Sequence, residues 1–320
     1  MRTELLDGTS EHDVANAVRM ILAGGLVAVP TETVYGLGAD ASNDRSVARV
    51  FGVKGRPPTH PLIVHVADAA HARALASRWT AAAEVLARTF WPGPLSLLVE
   101  RAESVSDAVT GGRDTVVVRV PDNAATLRVL SGLHAGGSIG LAAPSANRFG
   151  AISPTSARHV LDDFDGEIEA VLDGGPCSVG VESTIVDCRG TDVVVLRPGG
   201  LPTEAIIETL HEHGITVGRS STDDAIAPGM LRSHYAPRKR LEVFGTLAEL
   251  LARHDALVAT GTKVSVVDHP ADVFEYSRGL YSSLRTCDAD ASDVILALLP
   301  ADRGLGDAVR DRLLKASADR

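Results

Sequence analysis

The stretch that decides the fold is LVAVPTETVYGLG, residues 26–38. Its first four residues form an apolar run, which predicts a short buried strand. Three hydroxyl-bearing side chains, a carboxylate and two glycines follow where this strand ends. Such an ending brings polar side chains and bare backbone N–H groups to one place, as a binding site requires, although an ordinary turn has the same composition. We predict a buried strand followed by a polar, glycine-containing turn.

Strand-like runs alternate with alanine-rich helical patterns on both sides of this stretch. Strands are predicted at residues 61–66, 95–100, 115–120, 181–187 and 193–196, and helices at residues 12–23, 69–90 (one or two helices) and 156–162. After a polar segment at residues 218–227, strands are predicted at residues 241–244, 256–259, 264–267 and 294–299, with helices at residues 247–253, 281–287 and 305–316. The pattern predicts an α/β fold, a twisted mixed sheet with flanking helices, followed by a small second α/β domain.

Composition narrows the class of protein. A chain of 320 residues is long enough for two domains. Its net charge of −10 argues against an extensive nucleic-acid surface. The opening residues lack a signal-peptide pattern and no apolar run approaches the roughly 18 residues of a membrane span, so we expect a cytoplasmic protein. The three cysteines have no CxxC spacing, which predicts neither a disulfide framework nor a zinc cluster.

Two cations flank a glycine in KGRP, residues 54–57, just before the apolar run PLIVHV. Lys54 and Arg56 in a Gly/Pro-rich loop are suited to phosphate oxygens, although a solvated loop is the alternative. His65 lies within the following strand, where a hydrogen-bonded core histidine is the simpler interpretation.

A third cation lies in the predicted strand TVVVRV, residues 115–120. Thr115 and Arg119 share one face of that strand because side chains alternate. A buried guanidinium needs a partner, which is either a protein carboxylate or a bound anion. Arg197 repeats the arrangement at the end of VVVL, residues 193–196.

Two further segments combine small residues with hydroxyls. They are LAAPSAN, residues 141–147, and GVESTIV, residues 180–186. Small side chains let a ligand approach the backbone while Ser and Asn supply hydrogen bonds. Neither a nucleophile elbow nor a GxxxxGK[ST] loop occurs, and GLG at residues 304–306 lacks the rest of a dinucleotide fingerprint.

Together these segments resemble the threonylcarbamoyladenylate synthase family, whose catalytic part is the YrdC-like domain. The resemblance is carried, in order, by PTETVYGLG, KGRPPTHPLIVHV, WPGPLSLLV, DTVVVRVP, AAPSAN, GVESTIVD and LRPGG. PGMLRSHYAP, residues 228–237, and GLGDAVRDRLLKA, residues 304–316, resemble the longer, two-domain form. The resemblance implies a YrdC-like catalytic domain at residues 1–215, a linker or lid at residues 216–240, and a small Rossmann-like domain at residues 241–320.

The resemblance also implies a reaction, in which L-threonine, bicarbonate and ATP give threonylcarbamoyl-AMP and diphosphate. The product would pass to the machinery that transfers threonylcarbamoyl to tRNA, and Mg²⁺ is expected with ATP, without a protein ligand that the sequence identifies. Carried over by position, the threonine pocket is Thr33, His65, Arg119, Ala143 and Ser183. The nucleotide side is Lys54, Arg56, His60, Thr115, Ser145, Ser153, Arg197 and Tyr235. Lys54 and Arg56 would face the phosphates as the catalytic cations, and Tyr235 would reach over the nucleotide from the lid.

The chain departs from the family pattern at His60, where many relatives carry Asn, and at Leu231 and Ser233, where basic residues are common. These departures leave open the His60 contact and the positive charge of the lid. A nucleic-acid-binding module is one alternative, opposed by the acidic balance and the lack of interleaved aromatics. A carbamoyl transferase is another, but its expected acylphosphatase and zinc-finger segments are not visible. Oligomeric state, the purpose of the second domain and selectivity against serine stay open.

Overall fold

The computed structural model describes residues 2–218 and 234–318. The strands are β1 (Glu4–Asp7), β2 (Val27–Val29), β3 (Gly36–Asp40), β4 (Ile63–His65), β5 (Ala76–Arg78), β6 (Leu95–Arg101), β7 (Thr115–Arg119), β8 (Leu141–Ala142), β9 (Ala170–Asp173), β10 (Thr184–Asp187), β11 (Val194–Arg197), β12 (Arg240–Phe244), β13 (Val264–Val266) and β14 (Val294–Leu298). The helices are α1 (Glu11–Leu22), α2 (Asp44–Lys54), α3 (Ala69–Ala74), α4 (Ala81–Phe90), α5 (Asp107–Thr110), α6 (Ala124–Ala135), α7 (Ala157–Phe164), α8 (Thr203–Glu212), α9 (Leu247–Ala259), α10 (Val273–Ala289) and α11 (Leu305–Ser317).

Among the described residues, the first eleven strands form one mixed sheet. Its order is β1-β9-β2-β3-β8-β4-β7-β6-β10-β11, with β5 paired to β6. The sheet contains both parallel pairs, such as β4 with β7, and antiparallel pairs, such as β6 with β7. The predicted α/β class, a twisted mixed sheet with flanking helices, is confirmed.

A second, smaller sheet follows, with the order β12-β14-β13 and parallel pairing throughout. Its helices α10 and α11 pack against the first part of the chain, because Tyr281 and Leu313 share one apolar cluster with Val34 and Val181. No described helix is long and apolar enough to cross a membrane. All of the polar segment predicted at residues 218–227 except Gly218 lies outside the described residues, and so do the departures at Leu231 and Ser233. The division into residues 1–215, 216–240 and 241–320 stays a prediction.

Two local predictions are wrong. Residues 256–259 belong to α9 and not to a strand. Leu250 and Leu257, seven positions apart, are both buried, so the apolar run continues the helical face that begins upstream. The polar turn after β2 is also shorter than predicted, because Gly36 already opens β3 and Gly38 pairs with Val27. A Cβ at Gly38 would lie 2.9 Å from Leu141, which explains a glycine within this buried strand.

Candidate active site

A short loop between β2 and β3 forms the floor of the site. The Thr31 hydroxyl organises it, because Oγ1 accepts from the backbone N–H groups of Thr33 and Val34 at 3.2 and 3.1 Å. The hydroxyls of Thr31 and Thr33 lie 2.8 Å apart. The loop is held to the segment after β8, since Leu37 N donates to Pro144 O at 2.7 Å. The hydroxyls are thus fixed beside the small residues of AAPSAN.

Two parallel strands bring His65 and Arg119 together. Each is the last residue of its strand, and the register of β4 and β7 pairs them directly. The carboxyl ends of parallel strands commonly form ligand sites in open α/β sheets. Ala143 follows the next strand, β8, whose Leu141 pairs with His65.

The partner of Arg119 is a protein carboxylate. Nη2 lies 2.8 Å from Oε1 of Glu32, and both side chains are buried. Nε donates to Gly93 O at 3.2 Å. Among the described residues, neither Glu32 oxygen nor Nη2 has a partner in hydrogen-bonding geometry. The ion pair is therefore close but incompletely satisfied, and Arg119 still contributes to the cavity wall.

His65 is neutral in the folded protein. Its burial, together with the nearby Arg119 cation, lowers the pKa of His65 to about 3. The Nδ1 atom is buried and lacks a hydrogen-bond partner among the described residues. A neutral imidazole offers a ligand one donor and one acceptor.

Ser183 and Arg197 come from the edge of the sheet that β10 and β11 form. Ser183 precedes β10, and Arg197 ends β11, which pairs antiparallel with β10. Nε and Nη2 of Arg197 donate to Ser183 O at 3.2 and 2.7 Å. The Ser183 hydroxyl lies 2.7 Å from that of Ser96. This mutual anchoring fixes a guanidinium and a hydroxyl beside one another.

Lys54 and Arg56 leave the end of α2 in different directions. Gly55 caps the helix in the left-handed conformation, with φ 65°. Lys54 turns inward, where Nζ donates to Ser145 O and Asn147 O at 2.6 and 2.5 Å. Its burial lowers the pKa of Lys54 well below the usual value. Arg56 reaches the cavity, and burial lowers its pKa to about 10, so it stays charged at neutral pH.

His234 and Tyr235 close the site from the C-terminal side. Tyr235 has φ 62°, a conformation that costs energy for a residue with a bulky side chain. Its ring packs on Tyr281, with ring centroids 5.9 Å apart, and Ala236 N donates to Gly150 O at 2.9 Å. Burial also lowers the pKa of His234 to about 3, so this imidazole is neutral too.

These groups line one cavity that is open to solvent, with an empty space of ≈ 570 Å³ including the solvent at its mouth. It is lined by predicted residues from both sides of the expected site, namely Thr33, Arg56, His65, Arg119, Ala143, Ser145, Ser183, Arg197 and Tyr235. Further lining residues that the sequence reasoning did not assign are Thr31, Val34, Gly36, Ile63, Pro144, Glu182 and His234. Glu182 and Thr31 lie within two positions of the assigned residues Ser183 and Thr33 in GVESTIVD and PTETVYGLG. Their place in the same motifs is the sequence feature that could have identified them as lining residues.

Four predicted residues are absent from the described cavity wall, and they are Lys54, His60, Thr115 and Ser153. Lys54 was expected in a Gly/Pro-rich loop, and this is wrong. It is the last residue of α2, and its ammonium donates to carbonyls of the segment after β8. Thr115 begins β7, at the opposite end from Arg119. The Ser153 hydroxyl donates to Glu182 at 2.6 Å, and the His60 ring packs edge-on against Phe149. The nucleotide contacts of these residues stay predictions.

Known proteins match this chain over both parts. Residues 19–199 match the Sua5/YciO/YrdC family model, which carries the description "Telomere recombination", and residues 202–318 match the model of the C-terminal domain of threonylcarbamoyl-AMP synthase. The chain is 43% identical to the threonylcarbamoyl-AMP synthase of Pyrococcus abyssi over 97% of this chain and 95% of that protein. It is 36% identical to the enzyme of that name from Bacillus subtilis over 98% of this chain and 95% of that protein.

Solved structures agree with these matches. The crystal structure of P. abyssi Sua5 complexed with L-threonine superposes with a TM-score of 0.90, at 40% identity, over 99% of this chain and 98% of that chain. A cavity lined by arginines and hydroxyls at the carboxyl ends of sheet strands suits small anionic ligands. The chain belongs to the threonylcarbamoyl-AMP synthase family, in its two-domain form.

Proposed function

We propose that this protein condenses L-threonine, bicarbonate and ATP into threonylcarbamoyl-AMP and diphosphate. The observation that carries the proposal is the convergence of Arg56, Arg119 and Arg197 on one cavity that hydroxyl groups also line. Three anionic groups must meet in this reaction, the threonine carboxylate, the carbonate unit and the triphosphate. A site that gathers cations and small hydroxyls suits such a set of ligands.

The threonine pocket lies at the ends of β4 and β7. Arg119 would bind the amino-acid carboxylate, since guanidinium–carboxylate pairs are strong and directional. Thr33 and Ser183 supply hydroxyls for the polar atoms of the amino acid, and Ala143 leaves room beside the neutral His65. Glu32 would hold the Arg119 guanidinium in place on its far side.

The nucleotide side is formed by Arg56, Ser145, Arg197 and Tyr235. Arg56 Nε has no hydrogen-bond partner among the described residues, which suits a phosphate contact. Lys54 would act one step away, by fixing the carbonyls of Ser145 and Asn147. Tyr235 would cover the nucleotide and exclude water from a carbamate and a mixed anhydride that both hydrolyse easily.

The chemistry needs no protein nucleophile. The threonine amine attacks the carbon of carbon dioxide, and a carbamate results with loss of a proton from nitrogen. Attack on bicarbonate, directly or after it forms carbon dioxide, also releases one water molecule. A carbamate oxygen then attacks the α-phosphorus, and the bond from that phosphorus to the oxygen shared with the β-phosphate breaks, which releases diphosphate. The protein contributes by holding the reactants in line and by neutralising negative charge at the phosphorus.

Mg²⁺ is expected to accompany the triphosphate, where it would offset the charge of the β- and γ-phosphates. Across residues 2–218 and 234–318, no three His, Cys, Asp or Glu side chains are grouped as a metal site. The Glu182 carboxylate in the cavity wall is engaged by Ser153, Tyr281 and Arg312. These residues do not fit a protein-held metal ion, so Mg²⁺ would enter with ATP.

The product would serve the machinery that transfers threonylcarbamoyl to adenosine in tRNA, and a cytoplasmic location would suit that role. The test is to incubate the purified chain with ATP, bicarbonate and L-threonine and to measure diphosphate release. We expect release that requires threonine and bicarbonate, with an adenylate product visible by mass spectrometry. Omission of threonine, or its replacement by L-valine, which has a methyl group in place of the hydroxyl, provides the control. Diphosphate release that is independent of threonine would contradict the proposal.

A further inference from the structure

The C-terminal part of the chain contacts the synthase cavity through one arginine. Arg312 of α11 is fully buried. Its Nε donates to Oε2 of Glu182 at 2.7 Å, and its Nη1 donates to Pro198 O at 3.0 Å. Its guanidinium carbon lies 5.1 Å from the ring centroid of Tyr235. Glu182 and Tyr235 line the cavity, and Pro198 directly follows the lining residue Arg197.

Further groups of α10 and α11 contact the same side of the cavity, near Glu182 and Tyr235. The Tyr281 hydroxyl of α10 donates to Oε2 of Glu182 at 2.8 Å. His234 N donates to Lys315 O of α11 at 3.3 Å. The strained residue Tyr235 is therefore held on two sides. The preceding residue, His234, is bonded to α11, and the Tyr235 ring packs on the Tyr281 ring. A residue in the left-handed region keeps that conformation only where its surroundings enforce it.

The charges of Glu182 and Arg312 depend on one another. Burial alone would raise the pKa of Glu182, but Arg312 first and Arg197 second outweigh it and lower the pKa to about 2. Glu182 is thus a buried anion whose nearest cation comes from the second part of the chain. Removing one member of such a pair leaves the other charge without compensation in a poorly solvated place.

We infer that Arg312 is a positioning residue of the nucleotide side, and that α11 completes the site by fixing Glu182 and Tyr235. The inference rests on the proposed function, because it assigns a purpose to the C-terminal part within the same cavity. Arg312 itself is not among the residues that line the described cavity, so it acts through its neighbours. It should affect use of ATP more than use of threonine, whose pocket lies at β4 and β7.

The test compares Arg312→Met, Arg312→Lys and Arg310→Met in the full chain. Arg310 is a matched control on the same helix, because it also donates to a carbonyl, Pro300 O at 2.9 Å, and lies beside Asp302 as Arg312 lies beside Asp311. We expect Arg312→Met to lower kcat/KM for ATP about 30-fold, as loss of a charged buried contact does, and to change KM for threonine less than about twofold. Arg312→Lys should recover part of the loss, and Arg310→Met should behave as the unaltered protein.

Two readouts keep the outcome decisive. Thermal unfolding establishes the temperature at which each variant is fully folded, and kinetics are measured well below it. A proportional loss for both substrates, or normal ATP kinetics in Arg312→Met, would overturn the inference. Equilibrium binding of a non-hydrolysable ATP analogue gives an answer that does not need turnover, and equal affinity in Arg312→Met and Arg310→Met would likewise overturn it. Absent threonine-dependent diphosphate release from the unaltered protein would instead refute the proposed function.

Discussion

Replacement of Arg119 should have two separable effects, one on stability and one on threonine. Arg119 and Glu32 are both buried, and their charged atoms are 2.8 Å apart. Among the described residues, the Glu32 oxygens have no hydrogen bond that could compensate their charge after the arginine is gone. Removal of one partner from a buried ion pair costs about 3–5 kcal/mol, so we expect Arg119→Met to lower the free energy of unfolding by that amount.

A second substitution separates the two effects. Glu32→Gln in the Arg119→Met background removes the stranded charge, leaving a neutral amide whose burial costs about 1–3 kcal/mol if it lacks partners. The double variant should therefore be more stable than Arg119→Met by about 2 kcal/mol. Threonine use should not return, because the proposed carboxylate clamp is still missing. A charged hydrogen bond is worth about 1.5–3 kcal/mol, which corresponds to a KM for threonine raised about 10- to 150-fold.

Urea unfolding at neutral pH measures the first effect, and diphosphate release at graded threonine concentrations measures the second. Arg49→Met is a matched control, because Arg49 lies 2.8 Å from Glu169 in the same kind of pair but with partly exposed side chains. Such exposed pairs contribute about 0–1 kcal/mol. The reasoning is refuted if Arg119→Met costs no more stability than Arg49→Met, or if it leaves KM for threonine unchanged.

Three further predictions concern the backbone, the pH dependence and the cations. Gly199→Ala should destabilise the protein and impair activity, because a Cβ there would lie 2.3 Å from the backbone of Glu182 and Ser183. Gly52→Ala is the control, since a Cβ at Gly52 would meet nothing within 4 Å, and it should be neutral or stabilising in thermal unfolding. His65 has a folded pKa of about 3 against an ordinary value of 6.5, so its contribution to stability is complete above pH 6.5 and declines as the pH falls toward 3. His65→Gln should remove up to about 1.4 kcal/mol per pH unit from that slope in urea unfolding between pH 7 and pH 5. Lys54→Met should lower the unfolding temperature more than Arg56→Met, because the Lys54 ammonium donates to two carbonyls and Arg56 Nη2 donates to one, Pro61 O at 3.1 Å. Both variants should weaken ATP use, and equal unfolding temperatures would contradict this difference.

Much of the fold could be predicted because its signals are local. The run before Pro30 and the valines before Arg119 specify buried strands by themselves, and the segments around them meet in the cavity as expected. The strand predicted at residues 256–259 failed for a physical reason. A four-residue apolar run fits a short strand or part of a helix, and the burial of Leu250 and Leu257 on one helical face decides between them.

Other features depend on contacts that no local pattern contains. The sequence left open whether Arg119 pairs with a protein carboxylate or with a bound anion. The carboxylate is Glu32, because the loop after β2 brings its Oε1 to 2.8 Å from Arg119 Nη2 at the end of β7. Lys54 was expected to face phosphates, yet the left-handed Gly55 separates its direction from that of Arg56. Arg312 was not singled out, because its partner Glu182 is 130 positions away in the chain.

The pairing of β1 with β9 has a consequence for how the molecule is made. Glu4 lies opposite Ala170, and β9 also joins β2, so β1 has no strand partner until residues 170–173 have been synthesised. An open strand edge invites pairing with other chains. Sheets built from such distant segments also assemble slowly. During translation, the β1 segment should therefore depend on chaperone protection, and products truncated before residue 170 should aggregate rather than persist as folded fragments.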